Sequence, residues 1–171
     1  MDLGLIALRI VHIAAAMLWV GGAIMGSLFL NPTAQALGPA AQPFMDHLAG
    51  RRRMAIYFPV VAMLTVGAGA FLYWRDSGGL RMEWITSPTG LAFTVGALAG
   101  IASLVLGAVL VGPGIGEQTA VRNELAAGDG VLTDAQRHRL ERAGAKLRLA
   151  NRVDLPLILL AVVLMATARY L

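Results

Sequence analysis

Four long apolar blocks, separated by polar and basic stretches, set the pattern of the chain. Each is close to the length of about 20 residues that a helix needs to cross the hydrocarbon core of a bilayer. The blocks predict spans over residues 3–30, 54–74, 90–111 and 154–170. Asn31-Pro32 is expected to close the first span, because proline disfavours a helical residue before it. Gly112-Pro113-Gly114 is expected to break or kink the end of the third. Pro156 falls in the first turn of the fourth, where its missing N–H costs little. The stretch between the third and fourth spans also reads as helix. Glu117 to Ala127 extends the third span, Gly128-Asp129-Gly130 makes a turn, and Thr133 with Gln136 has the spacing of a capping box. The expected fold is all-α: one domain, residues 1–171, an integral membrane four-helix bundle with a cytoplasmic helical hairpin over about residues 115–152.

Composition agrees with that pattern. Of 171 residues, 57% are hydrophobic and 14% charged, whereas a soluble domain carries roughly 25% charged residues. Cysteine is absent, which excludes disulfides, thiolate metal sites and iron–sulfur clusters. No basic segment precedes the first apolar run, and the run is too long for the core of a cleaved signal peptide. It is therefore expected to be a retained membrane helix.

The net charge of +4 is explained by topology. Arg51, Arg52 and Arg53 lie in the first loop. Arg122, Arg137, Arg139, Arg142, Lys146, Arg148 and Arg152 lie between the third and fourth spans. Only Arg9, Arg75, Arg81 and Arg169 fall on the opposite side. The positive-inside rule places the first set in the cytoplasm and both termini outside, in a bacterial-type plasma membrane. Tyr73, Trp74, Trp84 and Tyr170 then form an aromatic belt at the outer interface. Membrane lipid is the expected partner of the basic loops, and nucleic acid is not. No phosphate-cradling glycine loop, nucleophile elbow or HExxH motif occurs.

Small residues recur at helix-packing spacing: Gly22 and Gly26, Gly67 and Gly69, Gly96, Gly100 and Gly107. They let helices approach closely and suit a homodimer or a flat prosthetic group equally well.

His12 is the candidate functional residue. An ionisable side chain inside a span is expensive and is by default a candidate site. Its helical face carries Leu5, Leu8, Arg9, Ala15, Ala16, Trp19, Ala23 and Gly26, mostly small residues beyond the histidine. An imidazole over such a groove suits axial ligation of haem. Its other reading is a histidine bonded to a hydroxyl or carbonyl of a neighbouring helix. Arg9, one turn from His12, and Arg169, near the end of the fourth span, could each pair with a haem propionate or snorkel to headgroups. Met165, level with His12, is the candidate second metal ligand, with Met17 and Met63 nearer mid-membrane. Methionine in an apolar helix is more often a flexible filler. His47 and His138 read as solvated. Asn151 and Asp154 mark the start of the fourth span.

These residues carry a resemblance. His12, Trp19 seven positions on, and the glycines after it resemble the opening helix of HemJ-type protoporphyrinogen oxidases and of the related copper-resistance D (CopD) membrane proteins. Arg52-Arg53-Met54, Pro59, Thr65 and Gly67 are similar to the second helix of the HemJ type, and Asn151, Asp154 and Pro156 to its fourth. The resemblance implies haem b on His12 and a haem-dependent membrane oxidoreductase. It also implies a lysine in the third helix, where residues 90–111 contain none. Three readings follow. One is a haem b protein exchanging electrons with a quinone, a porphyrin or a redox protein. The second is a copper-handling protein using His12 and methionines. The third is a cofactor-free accessory subunit.

Overall fold

A computed structural model describes residues 2–128 and 130–171. All regular elements among the described residues are helical. They are α1 (Leu3–Met25), α2 (Asn31–Leu37), α3 (Gln42–Asp46), α4 (Met54–Asp76), α5 (Met82–Ile85), α6 (Pro88–Leu106), α7 (Gly112–Ala127) and α8 (Asp134–Thr167), joined by short π and 3-10 turns. Four helical stretches are long and apolar enough to cross a membrane: Leu3–Asp46, Ile56–Asp76, Pro88–Ala127 and Asp134–Tyr170. The chain is an all-α membrane protein with four such helices.

Asn31-Pro32 does not end the first helix, and helix also runs on past Gly112-Pro113. A π turn, Gly26–Leu30, precedes Asn31-Pro32, and another, Gly107–Val111, precedes Gly112-Pro113. In each, the N–H of the residue before proline reaches five positions back, from Asn31 to the Gly26 carbonyl and from Gly112 to the Gly107 carbonyl. A proline ring clashes with the carbonyl four residues earlier in a regular α-helix. One wider turn moves that carbonyl aside, and the helix continues. Pro156 also differs from its expected place. It lies inside α8, because the helix from the hairpin enters the fourth apolar block without interruption.

The chain forms two compact units, Met1–Leu104 with Leu155–Leu171, and Val105–Asp154. In the first, Trp19, Val61, Ala62 and Ile158 form a buried cluster, flanked by Val20, Ala23, Phe58, Val66 and Leu104. Its outer surface is apolar, with Ile10, Ile13, Met17, Ile56, Met63, Leu98 and Val163 exposed. A soluble protein does not present so much contiguous apolar surface, whereas in lipid it is the solvated face. The corner before α6 closes on aromatic rings: Trp84 stacks on Phe93 and meets Tyr73 edge-on. The Tyr73 hydroxyl bonds Thr94 Oγ1 at 2.6 Å.

In the second unit, α7 packs on the first half of α8 through Val121 and Ala143, with Leu147 3.0 Å from where a Cβ on Gly114 would stand. Arg139 bonds Glu117 and, at 2.8 Å, Glu124, which also accepts from Gln136 Nε2 at 3.1 Å. The capping box forms: Gln136 N–H donates to Thr133 Oγ1, and Thr133 N–H to Gln136 Oε1. Of the turn expected at Gly128-Asp129-Gly130, Asp129 lies outside the described residues; Gly130 has φ 76°.

Gly90 tests the corner at α6, since a Cβ there would stand 1.8 Å from the Trp84 carbonyl oxygen. Backbone cannot swing aside as a side-chain tip can. Gly90→Ala is expected to cost about 1–3 kcal/mol, measured as a lowered thermal midpoint in detergent. Gly67→Ala, with nothing within 4 Å, should leave that midpoint unchanged or raise it.

Candidate functional site

A side chain on a helix covers the turn N-terminal to its own Cα. Position 69 therefore roofs the carbonyl of Thr65, and Gly69 leaves that roof open. His12 of α1 fills the opening. A Cβ on residue 69 would stand 2.8 Å from His12 Cε1 and 3.1 Å from Nδ1. Through the notch, His12 Nδ1 reaches the Thr65 carbonyl oxygen at 2.8 Å. A carbonyl only accepts, so Nδ1 carries the proton, and the neutral ring keeps its lone pair on Nε2. Nε2 makes no bond among the described residues, and no buried side-chain nitrogen or oxygen there lacks a partner. Nε2 is thus partly open. The Thr65 hydroxyl turns away from the imidazole and donates to the Val61 carbonyl at 2.8 Å.

The other candidate residues have protein partners of their own. Trp19 is 8% exposed and belongs to the core cluster with Val61, Ala62 and Ile158, so packing explains it. Met165 seats its Cγ 3.2 Å from where a Cβ on Gly96 would be, filling the notch between α6 and α8. Arg9 pairs with Asp76 at 3.5 Å. Arg169 lies over its neighbour Tyr170, 4.7 Å from the ring centre, and bonds its hydroxyl. His47 is exposed, and His138 is also exposed, 3.4 Å from Glu141. Among the described residues, no three His, Cys, Asp or Glu side chains converge as a metal-binding group.

Beside the Arg9–Asp76 pair, Arg75 bonds Asp2 at 2.7 Å, so two ion pairs clasp the start of α1 to the end of α4. Asp2 also caps α1, accepting from the N–H groups of Gly4 at 3.1 Å and Leu5 at 3.2 Å. The Leu5 N–H, followed by the Arg75 guanidinium, holds its carboxyl below the ordinary value of 3.8. Below this clasp, Leu5, Leu8, Phe71 and Trp74 line an open groove of about 560 Å³. It stops one helical turn short of His12. The acidic halves of the clasp, Asp2 and Asp76, went unassigned in the sequence. Their signal is modest: single carboxylates at the ends of two apolar runs, each facing an arginine once the helices are antiparallel.

The chain is thus an all-α protein with four membrane-length helices, in which His12 bonds across helices at the Gly69 notch. Against known families, curated proteins and solved structures, the chain has no significant match in any of the three comparisons.

Because the folded carboxyl of Asp2 titrates below its unfolded value, the clasp contributes fully above about pH 4. That contribution is lost as the pH falls through the folded value. The thermal midpoint of the wild type should therefore drop on acidification below about pH 4 more steeply than that of Asp2→Asn, in which the titrating group is gone. Identical pH profiles would show that the clasp plays no such part.

Proposed function

We propose that the protein binds a b-type haem within the membrane, with His12 Nε2 as the axial ligand, and serves electron transfer with a quinone, a porphyrin or a redox protein. The observation that carries this reading is that His12 Nε2 makes no bond among the described residues while the Thr65 carbonyl engages Nδ1. An imidazole that ligates iron needs a free lone pair on one nitrogen, and a backbone acceptor on the other fixes tautomer and ring orientation. The donor chemistry of His12 fits. A single proximal histidine is a sufficient protein ligand for haem, so the reading does not depend on Met165. When bound, haem supplies a one-electron iron couple. His12 holds and orients it, the surrounding apolar residues exclude water, and Arg9 is the nearest cation along α1, available to a propionate only in exchange for Asp76.

A second reading is favoured by the closeness of ring and notch. In it, His12 is an interhelical staple and the protein is a cofactor-free accessory subunit. Copper handling has no comparable observation in its favour.

The visible spectrum of the detergent-purified protein separates the first two. Haem binding predicts a Soret band at near-stoichiometric haem, lost in His12→Gly and restored by added imidazole. A wild-type protein that shows no Soret band even after haem is supplied leaves the staple.

The reading also places both termini outside and the arginine-rich segments in the cytoplasm, in a bacterial-type plasma membrane. Since the chain has no native cysteine, single substitutions report topology cleanly. In intact cells, Glu83→Cys should react with an impermeant maleimide and Arg137→Cys should not; the opposite pattern reverses the orientation.

A further inference from the structure

Charge is balanced unevenly in this protein. Arg9 and Arg75 are paired with Asp76 and Asp2, and Arg139 with Glu117 and Glu124. Arg51, Arg52 and Arg53 are different. All three are exposed, they are consecutive, and none has an ion pair or hydrogen bond from its side chain among the described residues. The nearest acid in sequence, Asp46, accepts from Gln42 Nε2 at 2.9 Å. Three adjacent guanidinium groups repel one another, and they precede the positive end of the α4 dipole, which disfavours cations. No ion pair of theirs among the described residues offsets that cost.

The backbone at the same place is unusual. Arg53 has φ 53° and ψ 34°, the left-handed region, as the residue before α4. A side chain with a Cβ is strained there, and such strain gathers at functional positions. The left-handed step also reverses the chain direction: Arg53 N–H bonds the Gly50 carbonyl, and its own carbonyl accepts from Ile56 and Tyr57. The three arginines are thus held on a tight turn at the mouth of a span.

We propose that Arg51, Arg52 and Arg53 clamp the phosphate of an anionic phospholipid headgroup. Depth selects the occupant. Arg53 lies three residues before the apolar stretch Ile56–Asp76, about 5 Å along a helix axis, which is headgroup depth. Tyr57, one turn into α4 and 39% exposed, suits the same interface. Guanidinium groups match phosphate oxygens in pairs. Three cations without counter-charges favour a headgroup of net negative charge, because a zwitterionic one brings an ammonium group with its phosphate. The inference is independent of the haem reading.

The test uses the full-length protein in bilayers, with spin-labelled phosphatidylglycerol and phosphatidylcholine as probes and the immobilised lipid fraction as readout. The clamp predicts preference for phosphatidylglycerol. It should weaken about fivefold for each arginine replaced, and roughly 100-fold in Arg51→Gln/Arg52→Gln/Arg53→Gln. Arg→Lys versions should keep only part of it, since an ammonium does not match phosphate oxygens in pairs, and Arg137→Gln/Arg142→Gln should change nothing. If the triple variant misfolds by circular dichroism, Arg51→Gln and Arg52→Gln, singly, carry the test. Equal retention of the two lipids, retention unaffected by the Gln variants, or loss through Arg137→Gln/Arg142→Gln would each overturn the proposal. Full displacement of phosphatidylglycerol by inorganic phosphate would also overturn it, in favour of a free-anion site.

Discussion

One hydrogen bond sets how α1 meets α4. The Thr65 carbonyl already accepts a bond from its own helix and has a second lone pair available. His12 Nδ1 takes it at 2.8 Å, through an opening that exists because residue 69 has no side chain. In membrane bundles such interhelical bonds contribute about 0.6–1.7 kcal/mol. Leaving a buried polar group without a partner costs several kcal/mol. The arrangement is therefore enforced by the penalty for losing it more than by the strength of the bond. The same bond decides which ring nitrogen is free, so packing and candidate chemistry share a single cause.

Glycine notches filled by a neighbour's side chain recur through the first unit. Phe58 occupies the space at Gly22, His12 that at Gly69 and Met165 that at Gly96. These three glycines do not line an empty slot; each receives a knob from a neighbouring helix. Lipid tails are as apolar as the helices, so close packing and interhelical bonds must supply the association. The ion pairs of Asp2 with Arg75 and Arg9 with Asp76 add a polar clasp where α1 begins and α4 ends. The two π turns solve a different problem, carrying long helices past Pro32 and Pro113.

The four spans were legible because a hydropathy pattern about 20 residues long has few alternative explanations. His12 was legible as a site because a titratable group in hydrocarbon stands out, and the Thr133–Gln136 cap because its spacing is local. Its bonding partner was not, since a backbone carbonyl has no residue-type signature and Gly69 looks like any packing glycine. Trp19 was read on a cofactor-binding face and Met165 as a candidate second metal ligand, yet both fill interhelical space, a distinction that depends on which face turns inward. Arg9 was matched to a propionate because the sequence does not show Asp76 lying antiparallel beside it. Helix ends at Asn31-Pro32 and before Pro156 were misplaced because proline forbids one hydrogen-bond register, not helix in general.

The protonation pattern of the His12 ring is the most direct check on this architecture. In a His47→Gln/His138→Gln background, ¹⁵N NMR of histidine-labelled protein in bilayers at neutral pH reports one ring. A proton on Nδ1, a bare Nε2 and coupling of Nδ1–H to the Thr65 carbonyl are expected. A bare Nδ1 with the proton on Nε2 instead would contradict the interhelical bond on which the packing of α1 and α4 is built.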